Sequence, residues 1–174
     1  MRNKKSVLRI TYTAIFTAII VLATAFVKFS TGLGEGYIHF GDSIIYLTAC
    51  ILPFPYCLIA GALGGALADI LAGFAVWSVP TAIIKMGNVL PFALACRNSK
   101  SDKILNKKTA LMPVVSGIIT IFGYFVAECF LYSVASATLS IIGNSIQAVA
   151  SGILFYIIAT TLDKINFKRR INNG

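Results

Sequence analysis

The sequence predicts an all-α integral membrane protein, a compact bundle of six transmembrane helices with both termini on the cytoplasmic side. Three observations predict it. Of the 174 residues, 57% are hydrophobic and only 12% are charged, about half the charged share of a soluble globular chain, and the mean hydropathy is +0.85. The apolar residues fall into six runs separated by short polar, glycine-bearing or proline-bearing joins. Finally, 13 of the 15 basic residues sit in three short clusters, each against an apolar run. These clusters are Arg2 to Arg9, Arg97 to Lys108 and Lys164 to Arg170. A net charge of +9 distributed in this way marks cytoplasmic membrane flanks and not a nucleic-acid surface.

The first span is predicted over 6–29. Its N-terminal flank is basic and Ala23-Thr24-Ala25 imitates a cleavage site, but the apolar run is near 20 residues, longer than the roughly 7–15 of a signal core. Thr11, Ala14, Ala18 and Ala25 form a stripe of small residues along it, and small residues spaced by four let helices approach closely in lipid. A loop, 30–41, follows. It holds Gly32, Gly34, Gly36 and Gly41, a density that suits either a lid or a plain hinge, together with Glu35, Tyr37 and His39.

Span 2 is short, 42–52, and Asp42 stands where a helix N-cap would. Pro53 and Pro55 close it. Span 3, 56–72, carries Gly61, Gly65, Ala68 and Ala72 on one helical face, with Asp69 near the far end. A short aromatic loop, Gly73 to Trp77, leads through Ser78 and Pro80 into span 4, 79–96, where Lys85 and Asn88 lie three apart. The connector Arg97 to Thr109 reads as a surface loop. Span 5, 110–132, contains Glu128. A turn near 133–140 opens span 6, 139–162, with Asn144 and Gln147, and a basic tail follows. The whole chain, 1–174, reads as a single membrane domain.

With six spans, the basic clusters all fall on one side, which predicts an N-in, C-in topology. Depth then follows. Asp42, Asp69, Lys85, Glu128, Asn144 and Gln147 are all predicted in the outer half of the bundle, as polar side chains converging on a pocket open to the outside. Ionisable groups inside a membrane are costly and point to function. Each has a bland alternative: Lys85 either neutralises Glu128 or Asp69, or binds an anionic group of a substrate. Trp77 and Tyr37 serve either as interfacial anchors or as stacking surfaces for a ring.

The stretch GYIHFGDSIIYLTACILPFPYCLIAGALGGALADILAGFAVWSVPTAIIKMGN resembles the substrate-binding S components of energy-coupling factor (ECF) transporters. The features shared are a "GD" opening span 2, a proline-terminated turn, a glycine-rich span 3 ending "ADxLxG", and "PTxIIK" entering span 4. The resemblance implies a subunit of the bacterial cytoplasmic membrane that captures a vitamin or related micronutrient at the outer face. A membrane scaffold (T) subunit and two cytoplasmic ATPases would complete the transporter. It implies a lid between spans 1 and 2, and scaffold docking through an AxxxA motif, which Ala14 and Ala18 fit. The substrate-binding residues expected are Tyr37, His39, Asp42, Asp69, Trp77, Lys85, Asn88, Glu128, Asn144 and Gln147.

Other classes fare less well. Four cysteines without CxxC spacing and one histidine support no metal site or cofactor. An enzyme would need a nucleophile with its base, and no GxSxG or paired acidic motif is present. A secondary transporter would more often show an internal repeat. The alternative reading is a structural or assembly membrane protein with no transport role.

Overall fold

A computed structural model describes the backbone of residues 2–30, 37–97 and 101–173, with side chains over 5–27, 39–97 and 101–171. Among the described residues seven α-helices run in chain order: α1 (Arg2–Ala25), α2 (Gly41–Ile51), α3 (Tyr56–Leu71), α4 (Ser78–Arg97), α5 (Met112–Leu131), α6 (Val134–Lys164) and α7 (Phe167–Asn173). The all-helical expectation has one exception, a short antiparallel hairpin between α1 and α2. Its strands are β1 (Lys28–Ser30) and β2 (Tyr37–His39), in a register that sets Lys28 opposite His39. The expected lid falls largely on 31–36, including Glu35, outside the described residues.

Among the described residues, four stretches are long and apolar enough to cross a membrane: Lys5–Ala25, Ala75–Arg97, Thr109–Leu131 and Val134–Lys164. The bundle is apolar outside. Large side chains such as Phe130 (87% exposed), Phe122 and Val79 point outward, while Asp42, Lys85, Asn88, Thr120 and Ser151 are fully buried. Lipid in place of water around the bundle accounts for that inversion.

The 11-residue α2 spans only about 16 Å at 1.5 Å per residue, roughly half a hydrocarbon core. It is the central post of the bundle. Every residue of α2 except Ile44 is buried, and it packs against α1, α3, α4 and α6. Around it α3 approaches its neighbours through glycines. A β-carbon on Gly64 would strike Ile20 of α1, and one on Gly61 would strike Val89 of α4.

The central helices repeat a three-tier order. On α2, Asp42, Tyr46 and Cys50 lie four apart on one face; on α4, Lys85, Phe92 and Cys96 step down in parallel; on α6, Gln147 precedes Phe155 by about two turns. The middle tier is an aromatic stack, with Tyr46 on Phe92 at 4.6 Å between ring centroids and Phe155 edge-on to Phe92 at 5.0 Å. Above it is the polar cluster described below; beneath it is the basic end of the molecule.

Four expectations change. The first span, expected over 6–29, ends as helix at Ala25, and Lys28–Ser30 is strand β1. The turn expected near 133–140 is helix, because Ser133 caps α6, its hydroxyl accepting from the Ser136 amide at 3.2 Å. The connector is only partly a surface loop. Ile104 in it is fully buried, and the Ile104 and Leu105 amides donate to the Asp163 carboxylate at 2.7 and 2.9 Å. The basic tail forms α7, which packs Phe167 and Ile171 against the core.

Candidate functional site

Asp42 was expected as a helix cap. It lies instead in the first turn of α2, where Phe40 holds the N-cap position without a side-chain bond. Its carboxylate bridges three helices. Oδ1 accepts from Lys85 Nζ of α4 at 2.5 Å, and Oδ2 accepts from Gln147 Nε2 of α6 at 3.0 Å. All three side chains are at most 3% exposed. Burying a lysine is expensive unless its charge is matched, and Asp42 matches it. Lys85 therefore pairs with neither Glu128 nor Asp69, the two partners considered from the sequence. Asp69, buried on α3, acts on Lys85 as a further electrostatic neighbour.

Glu128 faces elsewhere. Its Oε1 accepts from Ser136 Oγ at 3.0 Å, fastening the end of α5 to the first turn of α6. Asn88 is fully buried in the seam between α4 and α5, where its side-chain amide donates to Thr120 Oγ1 at 2.8 Å and its carbonyl accepts from Ser116 at 2.9 Å. Asn144 is half-buried on α6, one turn before Gln147. Tyr37 is placed on β2, and its side chain lies outside those described.

An aromatic group stands against the polar cluster. Lys85 Nζ lies 5.2 Å from the centroid of the Tyr124 ring, within cation–π range. The Tyr124 hydroxyl shares a hydrogen bond with Thr81 at 3.2 Å. Trp77, from the 3-10 turn Ala75–Trp77 that leads into α4, has its ring 5.9 Å from both Tyr124 and Tyr132. The sequence reading missed Thr81, Tyr124 and Tyr132, although a periodic signal was present. Thr81 precedes Lys85 by four, Tyr124 precedes Glu128 by four on α5, and Tyr132 follows after four more at its C-cap.

His39 ends the hairpin at the edge of this cluster. It is buried, and its Nδ1 accepts from the Gly41 amide at 3.1 Å, which places the ring proton on Nε2. Burial, reinforced by the positive charge of Lys85 and opposed by Asp42, pushes its pKa down to about 4. Folding therefore favours the neutral ring. Below pH 6.5 the unfolded chain gains a proton that the folded chain refuses until about pH 4. Stability is expected to fall over that window, by about 3 kcal/mol at most. Melting curves of wild type and His39→Gln between pH 4 and 7 check this: the difference between them should grow as the pH drops. A constant difference would show that His39 is not held neutral.

The small-residue stripe on α1 divides. Ala25 is buried, whereas Ala14 and Ala18 are exposed on the outer face of the bundle.

Comparison with known proteins adds two findings. The profile of the family described as the ECF-type riboflavin transporter S component matches residues 4–164. An uncharacterised protein of Pyrococcus woesei is 29% identical over 136 residues, which covers 78% of this chain and 87% of that protein.

Proposed function

We propose, for a chain that belongs to the family of ECF-type riboflavin transporter S components, that it captures riboflavin at the outer membrane surface for delivery through a scaffold subunit driven by separate ATPases. The family is one of substrate-binding transporter subunits, so the chain is not an enzyme. The observation that carries the choice of ligand is the pairing of an aromatic wall with a charge that is already matched. Trp77, Tyr124 and Tyr132 offer ring faces to a flat heterocycle. Beside them, the Lys85 ammonium is already matched by Asp42, so it is not free to pair with a phosphate. Asp69 and Glu128 on the surrounding helices add negative charge. The site suits a neutral ring compound better than its phosphorylated form.

In this proposal His39 and Tyr37 edge the mouth, Asp42, Lys85 and Gln147 form the floor, and Asn88, Asn144, Asp69 and Glu128 complete the polar lining. Six helices cross the membrane with both termini in the cytoplasm. Support comes from the gathering of basic residues from all three clusters at one end of the bundle, opposite the aromatic wall. The exposed Ala14 and Ala18 leave α1 a flat face on which a scaffold helix can pack.

Titration of the purified protein with riboflavin, followed by quenching of flavin fluorescence, tests the reading. The expected results are saturable binding to wild type, affinity about tenfold lower for Trp77→Ala, and weaker binding of flavin mononucleotide than of riboflavin. Absence of saturable riboflavin binding would refute it.

A further inference from the structure

The end of the bundle away from the aromatic wall holds a cleft of about 650 Å³ that riboflavin capture does not use. Four cations line it: Lys5 and Arg9 from α1, Arg97 from the end of α4 and Lys168 from α7. They come from three separated parts of the chain, and only the tertiary fold brings them together. Among the described residues no carboxylate lines the cleft, and the one ion pair is Lys85 with Asp42, far up the bundle. Asp163 stands near this end without lining the cleft; it accepts from the Ile104 and Leu105 amides, and its charge offsets one of the four positive ones at most. Four like charges around one concavity repel each other, and the excess positive charge favours a bound anion.

The rest of the lining identifies the anion. Leu8, Tyr12, Phe54 and Ile171 give the cleft apolar walls beside its four cations. An inorganic ion would gain nothing from those walls, whereas an amphiphile with a phosphate head would use both surfaces. Arginine pairs of this kind match phosphate oxygens through bidentate hydrogen bonds, and basic pockets between membrane helices suit lipid head groups. Lys5, Leu8 and Arg9 stand at the start of the apolar stretch Lys5–Ala25, so the cations lie at the end of a candidate membrane span, where lipid head groups gather.

We propose that this cleft binds the head group of one anionic phospholipid, with the phosphate held by Arg9, Arg97, Lys5 and Lys168. Bound there, the lipid ties α1, α4 and α7 together at the end of the molecule opposite the candidate vitamin site. The proposal rests on the membrane placement of the chain but not on riboflavin as its substrate.

Native mass spectrometry of the full chain, released from detergent containing phosphatidylglycerol or phosphatidylcholine, tests it. One phosphatidylglycerol should be retained, with at least about tenfold preference over phosphatidylcholine. The double variant Arg9→Gln/Arg97→Gln should lose that preference about tenfold. Lys5→Gln/Lys168→Gln provides an independent variant should the first not remain monodisperse. Equal retention of the two lipids, or unchanged retention in both variants, would overturn the proposal. Displacement of the lipid by millimolar inorganic phosphate would also overturn it, by showing a free-phosphate site. Riboflavin titration of the same samples separates the two readings, since lipid preference is expected whether or not the flavin binds.

Discussion

Lys85→Met is expected to destabilise the folded protein by about 3–5 kcal/mol, the usual consequence of removing one partner from a buried ion pair. The variant leaves the Asp42 carboxylate fully buried with Gln147 as its remaining side-chain hydrogen-bond partner. The loss should therefore come from stranding Asp42 as much as from losing the ammonium group. That predicts a specific rescue. Asp42→Asn combined with Lys85→Met removes both charges, leaves an amide facing Gln147, and should recover most of the lost stability. Thermal melts of the four proteins in one detergent give the cycle. If the double variant melts no higher than Lys85→Met alone, the two residues are not coupled, and the central bridge between α2, α4 and α6 is wrong. Riboflavin titration of the same set asks whether the pair also shapes the pocket. Weaker binding by the stable double variant would place Lys85 or Asp42 in the binding surface.

The second large effect is expected at Gly65. A β-carbon built there would come within 2.8 Å of Lys85 Cγ and 2.9 Å of Thr81 Cγ2. Lys85 is tethered at its far end to Asp42, so its stem has little freedom to give way. Valine at 65 must part α3 from α4 or bend Lys85 out of its ion pair, at a cost of about 1–3 kcal/mol. Because Thr81 also anchors the Tyr124 hydroxyl, the disturbance reaches the aromatic wall, and riboflavin affinity should fall at least about tenfold. Leu63→Val, at a half-exposed position of the same helix, is the matched control. Wild-type melting and affinity in Gly65→Val would show that the α3–α4 contact is looser than this geometry.

Much of the architecture was readable in the chain because lipid imposes a simple code. Long apolar runs must be helices, and basic flanks mark their ends, so α2, α3, α4 and α5 fall close to their expected bounds, whereas the first helix ends at Ala25 and part of its expected last turn is strand β1. The start of α6 was misplaced because serine, threonine and alanine between 134 and 140 are as compatible with a polar turn as with a helix; the cap by Ser133 decides it. α7 was read as a tail because Phe167 and Ile171 are isolated among charges, and their burial becomes visible only where α7 folds back on the bundle. Lys85 and Asp42 were both singled out as buried charges, yet their pairing was missed. They are 43 residues apart, and Glu128 and Asp69 were equally acceptable partners on paper.

By itself the sequence determined the class of molecule: a membrane-embedded helical chain with basic clusters flanking its apolar runs and a few charged and amide side chains within them, and a span 2–4 pattern that pointed to its family. Those properties are local. They depend on composition, on periodicity within a run and on which run a residue occupies. Only the tertiary structure decided which charge meets which, that Trp77, Tyr124 and Tyr132 form one wall, and that four cations from three segments surround a single cleft. The reason is geometric. Helix periodicity sets a side chain's position around its own axis, but partners on different helices depend on how those axes are rotated and offset. Here that is settled by close contacts such as Gly64 on Ile20 and Gly65 on Lys85, which no single run contains.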